Sequence, residues 1–336
     1  MTYLSVIIPA YNEEKIIKKN LIEVSSYLKK YFPRKKTEIL VVNDGSTDNT
    51  NNILISTKKI LSNLKIINHF ENLGRGAAII NGFKKSSGEY IVCLDADLSY
   101  NVNHIKKLLS PIINKNADIT LASAHHPKGS IANVPLVRLI ISKIGNFLIR
   151  LSLSKKIYTS TCSVRAFKRK SLKKLVLQSK DKDLHLEIIR KSILAGLKIV
   201  EVPATLKWRD INRRSKSKNL LHDLISLFSL RRSIFSHLIF NYSSKPGLFL
   251  IFPIIFLLVL SVASFYFIVK SIFINYTILE QSFYLSVRTT LINGNLTFLV
   301  LIFASISLLI FIIFYFLSSQ NKRIFEENYL ALIQIR

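Results

Sequence analysis

Acidic side chains are scarce in this chain: 20 Asp and Glu stand against 48 Lys and Arg, a formal net charge of +28. Five basic and three acidic residues follow position 247, so +26 of that charge belongs to the residues before it. Such an excess favours anionic partners, namely nucleic acid, anionic lipid or phosphorylated substrates. Cysteine is equally sparse. Cys93 and Cys162 show no Cys-x-x-Cys or Cys/His ligand spacing, which excludes a disulfide framework and a structural zinc. No repeat, coiled-coil heptad or low-complexity linker interrupts the chain. Met1 to Ile8 lacks the basic stretch and long apolar run of a cleaved signal peptide, so the N-terminal domain is expected to stay cytoplasmic. Charge is missing altogether from Leu248 to Val269 and from Leu296 to Leu317, each 22 residues long. As helices these runs would be roughly 33 Å long, enough to cross a bilayer. Membrane spans in the same chain put lipid head groups ahead of nucleic acid as the anionic partner.

An apolar fraction of 49% excludes wholesale disorder and lets residues 1–247 build a sizeable core. Apolar runs Leu4–Ile8, Glu38–Val42, Leu64–Ile67 and Tyr90–Leu94 read as strands, with helical patterns Glu13–Tyr31 and Arg75–Ser86 between them. This alternation predicts an α/β fold, whose ligands collect at the carboxyl ends of the strands. From Asn219 to Phe240 apolar residues recur at helical spacing beside Arg231 and Arg232. That pattern fits an interfacial helix next to a membrane span, or an amphipathic helix packed on the soluble domain. The expected division is residues 1–218 as the α/β domain, 219–247 as interfacial helix and linker, 248–269 and 296–317 as transmembrane helices joined by 270–295, and 318–336 as a cytoplasmic tail. Arg231, Arg232, Lys245, Lys322 and Arg323 outside the hairpin outnumber Lys270 and Arg288 within it, so both ends are expected on the cytoplasmic side.

Polar loops follow the strands. Asp95-Ala96-Asp97 closes the fourth, and two carboxylates one residue apart can share Mg²⁺ or Mn²⁺ with diphosphate oxygens. Alone the triplet is an ordinary surface-loop sequence. Pro9 to Glu13 ends the first strand, Asn43 to Asp48 the second, and Asn72-Leu73-Gly74-Arg75-Gly76 opens a helix, so several such loops line one sheet edge. After Pro135, Arg138, Ser142, Asn146 and Arg150 fall four residues apart on a helix otherwise rich in apolar residues. Arg138 and Ser142 could grip a lipid phosphate there, the alternative being a solvated helix face.

Together, Ser5-Val6-Ile7-Ile8-Pro9-Ala10-Tyr11-Asn12-Glu13, Val42-Asn43-Asp44-Gly45-Ser46-Thr47-Asp48, Asn72 to Gly76, Asp95-Ala96-Asp97-Leu98 and Glu201-Val202-Pro203 resemble family 2 glycosyltransferases of the GT-A type. More narrowly, they resemble the dolichyl-phosphate mannose synthases, over about residues 3–218. The resemblance implies that Pro9, Tyr11, Glu13, Val42 and Asp44 hold the nucleotide, while Asp95, Ala96 and Asp97 bind metal and sugar diphosphate. It implies Arg209 and Lys216, in a mobile loop, on the donor diphosphate, and Arg138 and Ser142 on the acceptor phosphate. Asp97, Arg138 and Ser142 are the expected catalytic residues, and Asp95, Asp97 and Ser99 the expected metal ligands. The chain departs from the family pattern at Asn43 for Asp, Ser99 for Gln and Ala124 where an Arg is usual, and it lacks the Gly before Arg165-Ala166-Phe167. His125 and His126 are either stand-ins for the missing cation or a surface pair without function. Glu187 occupies an acidic position of the family, but neither it nor His185 is expected to act as a base.

The expected reaction is inverting transfer of a hexose, first of all mannose from GDP-mannose, to dolichyl or polyprenyl phosphate at the cytoplasmic membrane face, feeding glycan or glycoprotein assembly. UDP-glucose is the alternative donor. A processive transferase lacks its Gln-x-x-Arg-Trp segment here, and a membrane-tethered basic module without enzymatic activity leaves the carboxylate loops unexplained. Expected partners are the nucleotide sugar, the lipid phosphate and membrane lipid, without nucleic acid.

Overall fold

The computed structural model describes residues 2–152, 157–181, 183–208, 248–278, 282–293 and 295–335. Its strands are β1 Leu4–Ala10, β2 Thr37–Asp44, β3 Leu64–His69, β4 Tyr90–Cys93, β5 Ile119–Ser123, β6 Ser130–Ala132, β7 Arg165–Lys168, β8 Ile199–Pro203 and β9 Thr205–Lys207. The helices between them are α1 Ile17–Tyr31, α2 Thr50–Ile60, α3 Arg75–Lys85, α4 His104–Ile113, α5 Leu136–Ser152, the single turn α6 Arg169–Leu172, and α7 Leu184–Leu194. Beyond residue 247 come α8 Leu248–Thr277, α9 Phe283–Asn293 and α10 Asn295–Ile335.

Seven strands form one sheet in the order β3-β2-β1-β4-β7-β5-β8. The strands β1 to β4 run parallel, as do β5 and β8, while β7 is antiparallel to both its neighbours. Strands covered on both faces read as continuous apolar runs, which is why Leu-Ser-Val-Ile-Ile in β1 and Ile-Leu-Val-Val in β2 are buried throughout. Alternation then divides them between two cores. Leu4, Val6 and Ile8 face Leu21, Val24 and Leu28 of α1 and Ile105, Leu108 and Ile112 of α4; Ile7 and Leu40 face Ile79 and Phe83 of α3 and Ile188 of α7. The chain reverses its order of travel across the sheet between β1 and β4, and such a switch point opens a crevice at the carboxyl ends of those strands.

At the opposite end of the sheet a carboxylate is buried. Glu38 accepts Ser5 Oγ at 2.6 Å, Ser87 N at 2.7 Å, Ser87 Oγ at 2.8 Å and Lys65 Nζ at 2.6 Å. Burial alone would raise its pKa, but the Lys65, Ser5 and Ser87 contacts outweigh that and bring it down to about 2.

The C-terminal unit, Ile234–Glu327, differs in kind. It holds two helical stretches long and apolar enough to cross a membrane, Ile254–Thr277 and Val300–Leu317. Both helices run past the apolar stretches expected from sequence, and the expected connection 270–295 contains α9. The residues taken as a tail, up to Ile335, continue α10. Asn275 Nδ2 donates to Thr290 Oγ1 at 3.0 Å, tying the end of α8 to α9. The expected interfacial helix, 219–240, lies outside the described residues.

Because the pKa of Glu38 is depressed by folding, the stability it confers is complete above the unfolded value of 4.5 and is lost as pH falls through about 2. Glu38→Gln is therefore expected to lower stability at pH 7 and to flatten its decline between about pH 4.5 and 2, measured by denaturant unfolding across that range. An unchanged pH slope in the variant would refute this account.

Candidate active site

The crevice at the switch point is a cleft of about 350 Å³ lined by Pro9, Ala10, Tyr11 and Glu13 after β1, Asp44 of β2, Gly74 and Arg75 at the start of α3, and Asp95, Ala96 and Asp97 after β4. Seven of the expected donor residues, Ala96 among them, thus share one wall system. Val42 does not. It is fully buried inside β2, paired in register with Pro9 and Ile67, so its side chain is in the core and not at the cleft.

Loops from neighbouring strands brace one another. Asn12 donates its backbone N–H to Ser46 Oγ at 3.0 Å and accepts Thr47 N at 2.9 Å, while Glu13 N reaches Thr50 Oγ1 at 2.8 Å. Gly45 has φ +66°, and a Cβ there would lie 2.3 Å from the Glu71 carbonyl carbon, so the turn after β2 requires glycine. Asp44 closes the corner: Oδ1 accepts Leu73 N at 3.0 Å and lies 2.6 Å from His69 Nδ1, while Oδ2 accepts Gly74 N at 3.0 Å. Asn43 stands where a second Asp was expected. It is buried, and its Nδ2 donates to Asn68 Oδ1 at 3.1 Å, an amide pair that an unpaired carboxylate would not make.

Behind the metal motif, Asn20 Nδ2 donates to the Ala96 carbonyl at 2.7 Å. Asp95 pairs with Arg75 and accepts Ser163 Oγ at 2.6 Å. Asp97 Oδ1 accepts Ser99 N at 3.0 Å, and Leu98 between them holds a left-handed backbone, φ 47°, a costly conformation for a branched residue and one that marks functional turns. Ser99, expected as a metal ligand, is buried and absent from the cleft lining; its backbone carbonyl accepts Lys207 N of β9 at 2.9 Å. It therefore supports Asp97 from behind. Among the described residues no three His, Cys, Asp or Glu side chains gather as a metal cage.

A further wall comes from the segment before α7. Asp181 lines the cleft, and the Lys180 carbonyl accepts Ala77 N at 2.9 Å. Glu187 holds this segment by accepting Gln178 N at 3.0 Å and Ser179 N at 2.9 Å, with Lys191 Nζ at 2.5 Å. Burial raises the Glu187 pKa, but Lys191 and Ser179 bring it below the usual value, so the group stays ionised as a brace. His185 is buried and is not among the residues lining the cleft, and its basicity is strongly suppressed by burial and by Arg165 and Arg75. Neither is placed as a base.

The acceptor residues lie on α5. Ser142 Oγ is 3.0 Å from His125 Nε2, and Asn146 Nδ2 donates to the Ser142 carbonyl at 2.9 Å. Asn146 Oδ1 accepts Ser160 N at 2.8 Å, while Thr159 Oγ1 accepts His125 N at 3.1 Å. Glu201 fixes this loop by accepting Tyr158 N at 2.8 Å and Thr159 N at 2.9 Å. Burial, with Lys143 nearby, lowers the His125 pKa despite Glu201, so its imidazole is neutral at pH 7. His126 instead packs edge-on against Tyr158, and the Arg150 guanidinium lies 5.4 Å from that ring's centre. Arg138 falls in the first turns of α5, and its side chain lies outside the described residues; Arg209 and Lys216 lie outside them entirely.

One loop serves both groups. Tyr158 to Ser163 carries Thr159 to His125, Ser160 to Asn146 of α5 and Ser163 to Asp95. The fully buried Arg165 clamps it, donating to the Ser160, Cys162 and His185 carbonyls at 2.8, 2.7 and 2.9 Å. Ser163, Asp181 and the Arg75 contact were not read as site features from sequence.

The family model for Glycosyl transferase family 2 matches residues 5–176. The chain belongs to that family. Its mixed, mostly parallel sheet with an aspartate motif at the switch point is of the GT-A type. Among curated relatives, dolichyl-phosphate beta-glucosyltransferase ALG5A of Trichomonas vaginalis is 31% identical over 219 residues, 62% of this chain and 67% of that protein. ALG5D of the same organism is 33% identical over 52% of this chain and 56% of its own length. Glycosyltransferase AglD of Haloferax volcanii is 27% identical over 67% of this chain and 36% of its own length. The chain thus spans only part of some of these proteins. Among solved structures, glucosyl-3-phosphoglycerate synthase from Mycobacterium tuberculosis with uridine diphosphate superposes at a TM-score of 0.49 and 18% identity, over 69% of this chain and 80% of that one.

This glycosyltransferase is expected to lose at least about 100-fold in turnover on Asp97→Asn, because the Asx turn to Ser99 survives while the charge does not. Its melting temperature should move by no more than about 2 °C, as for a surface substitution. Near-normal turnover across Mg²⁺ and Mn²⁺ titrations would remove Asp97 from the site.

Proposed function

We propose that this chain transfers a hexose from a nucleotide sugar to a dolichyl or polyprenyl phosphate. The observation that carries the reading is the shared loop: Ser163 touches the carboxylate at the donor cleft, while Ser160 touches Asn146 on the helix that bears Ser142 and Thr159 holds His125, which contacts Ser142. A transferase needs that adjacency, since the acceptor oxygen must approach the sugar carbon in line with the leaving diphosphate. The relatives' names favour glucose over mannose as the sugar, with UDP-glucose as donor and GDP-mannose as the second candidate. The two apolar helices suit an enzyme whose acceptor is a membrane lipid, and the catalytic unit is assigned to the cytoplasmic side by the basic flanks.

The donor set fits a hard divalent ion. Asp95 and Asp97 share one wall, Asp95 already faces a cationic guanidinium, and since among the described residues no three acidic or imidazole side chains gather as a cage, the remaining positions suit diphosphate oxygens and water. Bound Mg²⁺ or Mn²⁺ supplies positive charge for the leaving diphosphate. Arg75, at the same cleft, lies within reach to share that work. Pro9, Tyr11, Glu13 and Asp44 form the nucleotide side, and Arg209 and Lys216 complete the diphosphate contacts in this proposal.

On the acceptor side the nucleophile is the lipid phosphate oxygen, which is ionised at neutral pH and needs no protein base. Ser142 donates a hydrogen bond to it and Arg138 a charged fork. His125, neutral and held against Ser142, keeps that hydroxyl oriented. Attack from the face opposite the diphosphate inverts the anomeric centre.

The purified full chain, given UDP-glucose, GDP-mannose and polyprenyl phosphate in turn, is expected to yield hexosyl-phospho-polyprenol by mass spectrometry. Chelation should abolish the product and Mg²⁺ or Mn²⁺ restore it. Arg138→Ala should cost roughly 10- to 100-fold in acceptor kcat/KM, with donor affinity changed by less than about threefold. Absence of any lipid product with hexose nucleotides would overturn the reaction; weakened donor binding with unchanged acceptor kinetics would move α5 to the donor side.

A further inference from the structure

Between α6 and α7, residues 175–180 form neither helix nor strand, so no backbone ladder fixes this segment. Its end nonetheless supplies a wall of the donor cleft through Asp181, and its Lys180 carbonyl accepts Ala77 N of α3. The N–H groups of Gln178 and Ser179 end on the Glu187 carboxylate. The place of the wall therefore depends on where Glu187 is held. Glu187 pairs with Lys191 Nζ at 2.5 Å, and that ammonium also donates to the Val176 carbonyl. Lys191 is only 4% exposed, so water contributes little to its surroundings. A buried charge is costly unless protein groups replace the lost hydration.

The group that covers Lys191 comes from a distant part of the sequence. Helix α10, which carries the apolar stretch Val300–Leu317, continues to Ile335, and its residues from Asn328 belong to the catalytic unit. Tyr329 among them is 3% exposed. Its ring centre lies 5.4 Å from Lys191 Nζ, and its hydroxyl donates to the Lys174 carbonyl at 3.4 Å. An aromatic face attracts a cation most strongly where water is excluded, so this ring replaces part of the hydration that Lys191 gives up. The hydroxyl ties the same side chain to the residues that lead into the segment. One tyrosine thus touches both the approach to the wall and the ammonium that organises it. We propose that Tyr329 is a positioning residue for the donor: it caps Lys191, Lys191 holds Glu187, and Glu187 sets the wall that ends in Asp181. The inference rests on the cleft being the donor site and extends that site to the last turns of α10.

Three variants of the full chain separate the ring from its bulk: Tyr329→Phe keeps the aromatic face, Tyr329→Leu keeps apolar volume without it, and Tyr329→Ala removes both. Without ligand, amide hydrogen exchange at Gln178 and Ser179 is expected to quicken about tenfold in the Ala and Leu variants and to stay within about twofold of native in Phe. Exchange in β1 and β2 should not change. Calorimetry with Mn²⁺ and UDP-glucose or GDP-mannose, whichever the native chain binds, should show donor affinity about fivefold weaker in the Ala and Leu variants. Their kcat at saturating donor and their acceptor KM should remain within about twofold of native, the pattern of a lost contribution to donor binding alone. Native exchange at Gln178 and Ser179 in the Ala variant would overturn the proposal, as would a Leu variant equal to Phe or exchange that quickens equally in β1 and β2. Faster exchange with unchanged donor affinity would refute the positioning role. The exchange data need no turnover, so the expected exchange pattern in a chain that binds neither nucleotide sugar would sink the donor reading and leave the Tyr329 brace standing.

Discussion

Arg165 sits in the middle of the sheet with its charge taken out of water, and its described hydrogen bonds all go to backbone carbonyls. Burial lowers its pKa to about 10, with Cys162 and Cys93 opposing, so the guanidinium remains charged at neutral pH. Burying a cation in this way is costly unless every donor is used. Here the planar fork ties the Ser160 and Cys162 carbonyls of one loop to the His185 carbonyl of α7. That arrangement fixes the loop whose two ends meet Asp95 and α5, so the separation of the two half-sites follows from one side chain.

The donor side is rigid for a different reason. Parallel strands end together at the switch point, and their loops satisfy one another through Asn12, Thr50 and Asp44 rather than through solvent. Asp44 spends both oxygens on the start of α3, and Gly74, with φ +95° and the Lys180 carbonyl 2.6 Å from where its Cβ would stand, permits the close approach of the segment that carries Asp181. Ground-state organisation of this kind removes reorganisation from the chemical step.

The first half of the domain was legible in the sequence because its strands are local apolar runs followed by polar motifs. The readings Leu4–Ile8, Glu38–Val42, Leu64–Ile67 and Tyr90–Leu94 became β1 to β4 with ends shifted by a few residues at most. Helix α5 was equally plain, since Pro135 precedes a long periodic segment. What the pattern could not reveal is non-local. β7 is four residues long and inserts antiparallel between β4 and β5, and nothing in Arg-Ala-Phe-Lys announces that its neighbours are some 40 to 75 residues away. The Ser163 contact with Asp95 depends on that insertion. Val42 was read as a nucleotide contact from the resemblance; it lies two residues short of the end of β2 and is fully buried, so its side chain is in the core, while Asp44 at the strand end reaches the cleft. Similarly, Ser99 follows the metal motif in sequence, but the left-handed turn at Leu98 carries it behind the cleft.

If one clamped loop sets both half-sites, weakening the clamp must disturb both substrates together. Arg165→Lys keeps the charge and cannot reproduce the three-way fork, so it forfeits about two hydrogen bonds of roughly 1 kcal/mol each. Steady-state kinetics of that variant, in a preparation whose cooperative unfolding is confirmed, measure the point directly. Both donor and acceptor kcat/KM are expected to fall by about tenfold or more. A variant that melts earlier yet keeps both values within about twofold, or loses only one of them, would contradict the single-clamp account.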